Sequence, residues 1–370
     1  MPKNLELKKI ISVVGARPNF IKIAPVHRAF EKYSDNIKHI ICHTGQHFDD
    51  KMSKVFFDEL QMPKPDYFLG LGGGSHAVQT ARIMVEFEKI LLDEKPDLVI
   101  VPGDVNSTLA ASLVAAKLHI PVAHVESGLR SFDSKMPEEI NRVIADEISD
   151  YLFVTEKSGL LNLDNEGVDK SKVYFTGNVM IDSLIHFMPF IDKSTVLNDL
   201  GLEKEKYILS TFHRPSNVDN EEELQDLVKA INELADLSKI VFPIHPRTKN
   251  NLEKFGLISS IKENVIILEP LGYIDFLNLT KNAKLVITDS GGIQEETTFL
   301  GVQCITVRDN TERPITSEIG TNHMIGTDLR KVVNAAKEII GGKIKKGQIP
   351  ELWDGKTADR IAEIIYKSIC

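Results

Sequence analysis

Short, unbroken apolar runs recur along the chain, each followed by a stretch whose apolar positions return every three or four residues. In the first half the runs are "IISVVG" (10–15), "IKHIICHT" (37–44), "LVIVPG" (98–103), "VAHVE" (122–126), "YLFVT" (151–155) and "KVYFTG" (172–177). The rhythm restarts with "YILSTFH" (207–213), "KIVFPIH" (239–245), "NVIILEP" (264–270), "LVITDS" (285–290) and "QCITV" (303–307). None of these runs alternates strictly between polar and apolar residues. Strands of that kind are buried on both faces, as parallel strands are between two layers of helices. Intervening stretches such as "FIKIAPVHRAFEKY" and "STLAASLVAAKL" supply the amphipathic helices. The predicted fold class is therefore α/β, with two doubly wound Rossmann-like domains presenting their strand ends toward a central cleft. Segment 187–206 contains a proline and many charges and reads as a linker between domains 1–186 and 207–355, with a terminal amphipathic helix over 356–370.

Composition narrows the partners. The 370 residues are 42% hydrophobic, enough for two cores, and the net charge of -9 leaves no basic face for nucleic acid. No apolar run is long enough to span a bilayer, and the N-terminal "MPKNLELKKIISVVG" has only a short strand-like run after its charges, so neither a membrane nor a secretory role is expected. Cys42, Cys304 and Cys370 lack metal-ligand spacing and fit a reducing cytoplasm, two as core thiols and one as a terminal one.

Ligands of open parallel sheets bind beyond the carboxyl ends of the strands. The reactive residues at those ends are Arg17 after the first run, Asp104 after "LVIVPG", Glu126 closing "VAHVE", His213 and His245 in the second half, and Ser290-Gly291-Gly292 after "LVITD". Each has an ordinary explanation taken alone. Asp104 could cap the next helix, Glu138 and Arg142 could form an i,i+4 surface ion pair, and a single strand-end histidine is more often packed than catalytic. Their convergence on one edge favours a site. In "TDSGGIQEE", a glycine pair opening a helix suits phosphate oxygens, and a carboxylate one turn on suits a ribose diol. A nucleotide-sugar diphosphate needs both. The first turn reads "GARPNF" rather than GxGxxG, and no P-loop is present, which argues against a dinucleotide or NTP site.

Nine separated motifs, "GARPNFIKIAPV", "HTGQHFD", "VPGDVNSTLAASLVA", "HVESGLRSFDSKMPEEINR", "FTGNVMID", "TFHRPSNVD", "IHPRT", "TDSGGIQEE" and "RDNTERP", run in order along nearly the whole chain. Together they resemble the non-hydrolysing UDP-N-acetylglucosamine 2-epimerases. The resemblance implies the two-domain architecture also used by many glycosyltransferases (GT-B-like), a homodimer, no cofactor and no metal. It implies an isomerase that interconverts UDP-N-acetylglucosamine and UDP-N-acetylmannosamine by eliminating UDP to 2-acetamidoglucal and adding it back, supplying activated sugar for cell-surface polysaccharide.

By the same resemblance Asp104, Glu126 and Glu138 match the essential acidic set, with Arg142 a helical turn beyond, and His213 matches a cleft histidine that aids diphosphate departure. Arg17 and Lys22 match a basic pair near the diphosphate. Ser290, Gly291 and Gly292 match its phosphate turn, Glu296 the ribose contact, Phe276 a uracil contact and Arg313 another cleft residue. Clustered carboxylates raise one another's pKa, so one of the acidic set is expected to stay protonated near neutrality. Gln46, His47 and His245 match part of a second, regulatory nucleotide-sugar site. The glycine-rich "GLGGGSHAVQ" (70–79) departs from the loop that completes that site, so little dependence on an activator is expected. Other departures are "HRPSN", which lacks a common glutamate, Val105 in place of threonine, and Ser127 in place of alanine. A sibling epimerase acting on UDP-2,3-diacetamido-glucuronate, a glycosyltransferase of the same architecture and a non-catalytic sensor are the alternatives.

Overall fold

The computed structural model describes residues 7–46 and 59–370. The chain divides into two compact units. Residues 1–186 with Glu351–Cys370 form one, and Phe187–Pro350 form the other.

In the first unit seven parallel strands lie in the order β3-β2-β1-β4-β5-β6-β7. They are β1 (Lys8–Val14), β2 (Ile37–His43), β3 (Tyr67–Phe68), β4 (Leu98–Pro102), β5 (Val122–Ser127), β6 (Tyr151–Val154) and β7 (Val173–Phe175). The second unit has six parallel strands in the order β10-β9-β8-β11-β12-β13. These are β8 (Tyr207–Thr211), β9 (Lys239–Pro243), β10 (Val265–Leu268), β11 (Leu285–Thr288), β12 (Cys304–Thr306) and β13 (Asn322–Met324). Both units are Rossmann-like. All eleven expected strands are present, because runs such as Leu98–Pro102, buried at every position, can only be sheet interior. The two additions, β3 and β13, are edge strands of two and three residues, too short to register as apolar runs.

Each sheet reverses its strand order once, between β1 and β4 and between β8 and β11. At such a switch point neighbouring loops diverge and leave a crevice beyond the strand ends. Gly15 and Asp104 follow β1 and β4, while His213 and Ser290 follow β8 and β11. These four residues thus fall at the switch point of their own unit, whereas Glu126 lies in β5 and His245 follows β9, one strand further out.

The expected boundaries need correction. Segment 187–206 is not a loose linker, because helix Val179–Ile191 runs through its start and helix Val196–Asp199 follows. Val196 and Leu202 are buried in the second unit's core with Tyr207 and Leu209, so the charges of this segment belong to the solvent side of packed structure. The second unit ends at Pro350, not at residue 355. The terminal helix Thr357–Ile369 belongs to the first unit, where Asp182 accepts a hydrogen bond from Ala358 N (2.7 Å) and the buried Trp353 donates to Thr155 O (3.1 Å). Cys42 and Cys304 sit in strand cores and Cys370 is exposed, with burial pushing both core thiols up to about 12. Among the described residues no helix is long and apolar enough to cross a membrane.

Candidate active site

In the first unit, the turn after β1 opens helix Arg17–Phe30, with Arg17 as its first residue. Asn19 stitches that turn to the next strand, accepting from Gly15 N (3.1 Å) and Ala16 N (3.0 Å) and donating to Pro102 O (3.0 Å). Burial draws the Arg17 guanidinium below its usual value, with Glu59 opposing. Lys22, one turn further along the helix, is buried and bonded to Glu126 Oε2.

Glu126 is held in an unusual way. The register of β5 against β6 shifts between Val125 and Ser127, and Glu126 in that bulge has φ 74°. A non-glycine residue there is strained by about 1–3 kcal/mol, and such bulges re-aim side chains beside active sites. Gly103, at φ 65°, makes room for the result. A Cβ on it would lie 2.8 Å from Lys22 Nζ and 3.2 Å from Glu126 Oε2.

Asp104 does not cap the following helix, whose N-cap is Val105. Its carboxylate binds Arg142, which also holds Glu139 Oε2 at 2.6 Å. Glu139 is buried and accepts from Ser131 N, Ser131 Oγ and Phe132 N, each at 2.9 Å. The i,i+4 ion pair between Glu138 and Arg142 is therefore absent. Glu139, three residues before Arg142, takes that place, and Glu138 stands half-buried beside it. Each of these two carboxylates is paired with a cation, Glu126 with Lys22 and Asp104 with Arg142.

In the second unit Ser290 N-caps helix Gly291–Leu300 without a side-chain bond, and Ser290 N donates to Thr288 Oγ1 (3.0 Å). A Cβ on Gly291 would meet Arg313 Nη1 at 2.7 Å and Glu312 Oε1 at 2.9 Å. Arg313 lies behind this turn, ion-paired to Glu295 (3.0 Å) and to Glu312. Asp289, directly before Ser290, is wholly buried and accepts from His213 Nδ1 (2.8 Å), His213 N (3.0 Å), Arg214 N (2.9 Å) and Asn217 Nδ2 (3.0 Å). Burial works against its charge, but the His213 contact and the other donors prevail and hold it below the usual carboxylate range. An ionised Asp289 only accepts, so Nδ1 of His213 carries a proton and Nε2 remains for a ligand. Phe276 is half-buried against the core around Tyr207.

Glu296 is buried, and desolvation first, then neighbouring Glu295, push it up to about 8 from an ordinary value of 4.5. Because its folded value exceeds its unfolded one, its contribution to stability is full below pH 4.5 and is lost as pH rises to about 8. Ligand-free Glu296→Gln should therefore melt above the parent at about pH 8, with the gap closing toward about pH 5. Thermal melts across that range check this, and equal melting temperatures at every pH would refute it.

For the second-site residues, Gln46 spends its carbonyl on Ser107 N (2.9 Å) and Ser107 Oγ (2.7 Å). His245 is exposed and accepts from Arg247 N (3.1 Å) as a helix N-cap, its ring 5.5 Å from that of His213. His47 lies outside the described residues. Among the described residues no group of three or more His, Cys, Asp or Glu is placed to hold a metal ion.

Sequence reasoning missed Asn19, Glu139 and Asp289 as parts of this framework. The i,i+3 spacing of Glu139 and Arg142 and the position of Asp289 against "SGG" were the available signals.

A carboxylate-lined turn in one Rossmann-like unit and a glycine-opened helix beside a histidine in the other suit a nucleotide-sugar enzyme, and the comparisons agree. The family model described as UDP-N-acetylglucosamine 2-epimerase matches residues 28–366. The chain belongs to the UDP-N-acetylglucosamine 2-epimerase family. A Methanocaldococcus jannaschii relative of that name is 45% identical over 365 residues, covering 96% of this chain and 98% of the relative. The crystal structure of the Methanocaldococcus jannaschii UDP-GlcNAc 2-epimerase in complex with UDP-GlcNAc and UDP superposes with a TM-score of 0.90 at 44% identity, covering 97% of this chain and 99% of that one. A Pseudomonas aeruginosa UDP-2,3-diacetamido-2,3-dideoxy-D-glucuronate 2-epimerase is 41% identical over 364 residues, covering 97% of this chain and 99% of the relative. Membership makes this chain an epimerase, an enzyme of the isomerase class.

Proposed function

We propose that this epimerase interconverts UDP-N-acetylglucosamine and UDP-N-acetylmannosamine by elimination and readdition of UDP. The C2 hydrogen is not alpha to a carbonyl, so its removal alone is very costly. Elimination couples it to a departing group. The C2 proton passes to a carboxylate as the C1–oxygen bond to the diphosphate breaks, leaving 2-acetamidoglucal and UDP. Readdition re-forms that bond while a proton arrives at the other face of C2. Atoms balance and no net redox change occurs.

The observation that supports this reading best is Glu126, strained in its bulge and bonded to Lys22, next to the turn that presents Asp104 to Arg142. Asp104, Glu126 and Glu138 supply the acid and base, which must work on opposite faces of C2. Arg142 orients Asp104, and Lys22 with Arg17 offsets developing negative charge. The amides of Ser290, Gly291 and Gly292 and the helix dipole receive the diphosphate, where donors aimed at developing charge count most. When both of its ring nitrogens are protonated, His213 donates to it from Nε2. Glu296 takes the ribose, Phe276 the uracil, and Arg313 stiffens the turn from behind.

The 41% identity of the diacetamido-glucuronate relative makes that sugar the competing substrate. Incubation with each nucleotide sugar in heavy water tests both readings. The expected result is the manno epimer of UDP-N-acetylglucosamine with deuterium at C2, and traces of glucal. Conversion of only the diacetamido sugar would transfer the activity to that substrate. Full retention of the C2 hydrogen would overturn elimination.

A further inference from the structure

His124 lies two residues before Glu126 in β5 and has no exposed surface. Its Nε2 is 2.7 Å from the carbonyl oxygen of Gly103, the residue before Asp104, and its Nδ1 is 2.6 Å from Asp146 Oδ1. A carbonyl oxygen can only accept, so Nε2 carries a proton. Asp146 Oδ2 already accepts from Arg130 Nη1 (2.6 Å) and Gly128 N (3.0 Å). Burial opposes ionisation of Asp146, but His124 and Arg130 outweigh it and hold the carboxyl below its usual range. An ionised carboxylate also only accepts, so Nδ1 carries a second proton. Both ring nitrogens thus face oxygen acceptors, the arrangement that an imidazolium satisfies. Arg130 is paired in turn to Glu166 (2.6 Å), so two cations meet two carboxylates and no charge is left uncompensated.

The bonds of this cluster end on the two turns that matter. One grips the Gly103 carbonyl before Asp104, and another grips the Gly128 amide two residues after Glu126. Gly103 has no side chain of its own to anchor it, and its α-carbon faces the Lys22–Glu126 pair. A slip of that turn would displace Asp104 relative to Glu126, and misplacement by about 1 Å can cost about 100-fold in rate.

We propose that His124 is a positioning residue for the C2 chemistry, an imidazolium clamped by Asp146 that holds the Gly103–Asp104 turn in register with Glu126. The proposal rests on the reading of Asp104 and Glu126 as acid–base groups.

Nuclear magnetic resonance of the full chain labelled with nitrogen-15 histidine, at about pH 7.5, reads the ring directly. Two protonated ring nitrogens are expected for His124, and a neutral tautomer would overturn the clamp. Asp146→Asn removes the charge that holds the second proton. Its kcat should fall about 10- to 100-fold with KM within about threefold of the parent, because orientation rather than binding is lost. A folded Asp146→Asn with parental kcat would overturn the positioning role. Where that variant fails to fold, His124→Gln, whose amide can still donate to the Gly103 carbonyl, is compared with His124→Leu. Higher kcat for the glutamine variant supports the role, and equal kcat refutes it. Failure of the underlying acid–base reading is seen separately, as full activity in Asp104→Asn and Glu126→Gln with the imidazolium signal intact.

Discussion

Glu126→Gln is expected to turn over about 10²- to 10⁴-fold more slowly than the parent while still binding UDP, the usual cost of losing one general acid–base group. Glutamine preserves the size of the side chain in its strained bulge but cannot exchange a proton. Asp104→Asn should behave alike, since it removes titration while leaving an oxygen for Arg142. Steady-state kinetics with calorimetric UDP binding separates the two effects. Near-parental kcat in either variant would remove that residue from the proton-transfer set. One complication is foreseeable. The Glu126 substitution leaves Lys22, with only 6% of its side chain exposed, without its counter-charge, so melting must be followed alongside kcat.

Arg142→Met should destabilise the fold by about 3–5 kcal/mol, the range for breaking a buried ion pair from one side. The Arg142 side chain is 3% exposed and bonds both Asp104 and Glu139. Asp104 keeps some contact with solvent, but Glu139 would be left as a buried carboxylate held only by Ser131 and Phe132. Adding Glu139→Gln should recover much of the loss, because the charge stranded by the first change is then gone. Denaturant titration of the single and double variants measures this. A single variant as stable as the parent would show that Arg142 is not needed to offset the buried charge of Glu139.

The chain's own pattern determined a good deal. Continuous apolar runs such as Val99 to Val101 can be accommodated only as strands covered on both faces, which leads directly to two parallel sheets with reactive residues at their carboxyl ends. The helix start at Ser290-Gly291-Gly292 was legible because a glycine turn opening a helix is a local property, and helix Gly291–Leu300 begins there. Other features depended on partners far along the chain. Whether Glu138 or Glu139 turns inward is decided by the Ser131 and Phe132 amides and by Arg142, so adjacent identical residues acquire different roles. Asp289 read as the end of a strand, and only the return of His213, Arg214 and Asn217 made it the anchor of a histidine. The left-handed backbone of Glu126 follows from the register slip of β5 against β6, which no local propensity encodes. Segment 187–206 looked like a linker because its charges are visible in sequence while the burial of Val196 and Leu202 is not. The terminal helix joined the first unit because Asp182 and Thr155, nearly two hundred residues earlier, offer the acceptors that its approach requires. Periodicity reports what each element must bury, and only the packed structure settles which distant group completes each charge and hydrogen bond.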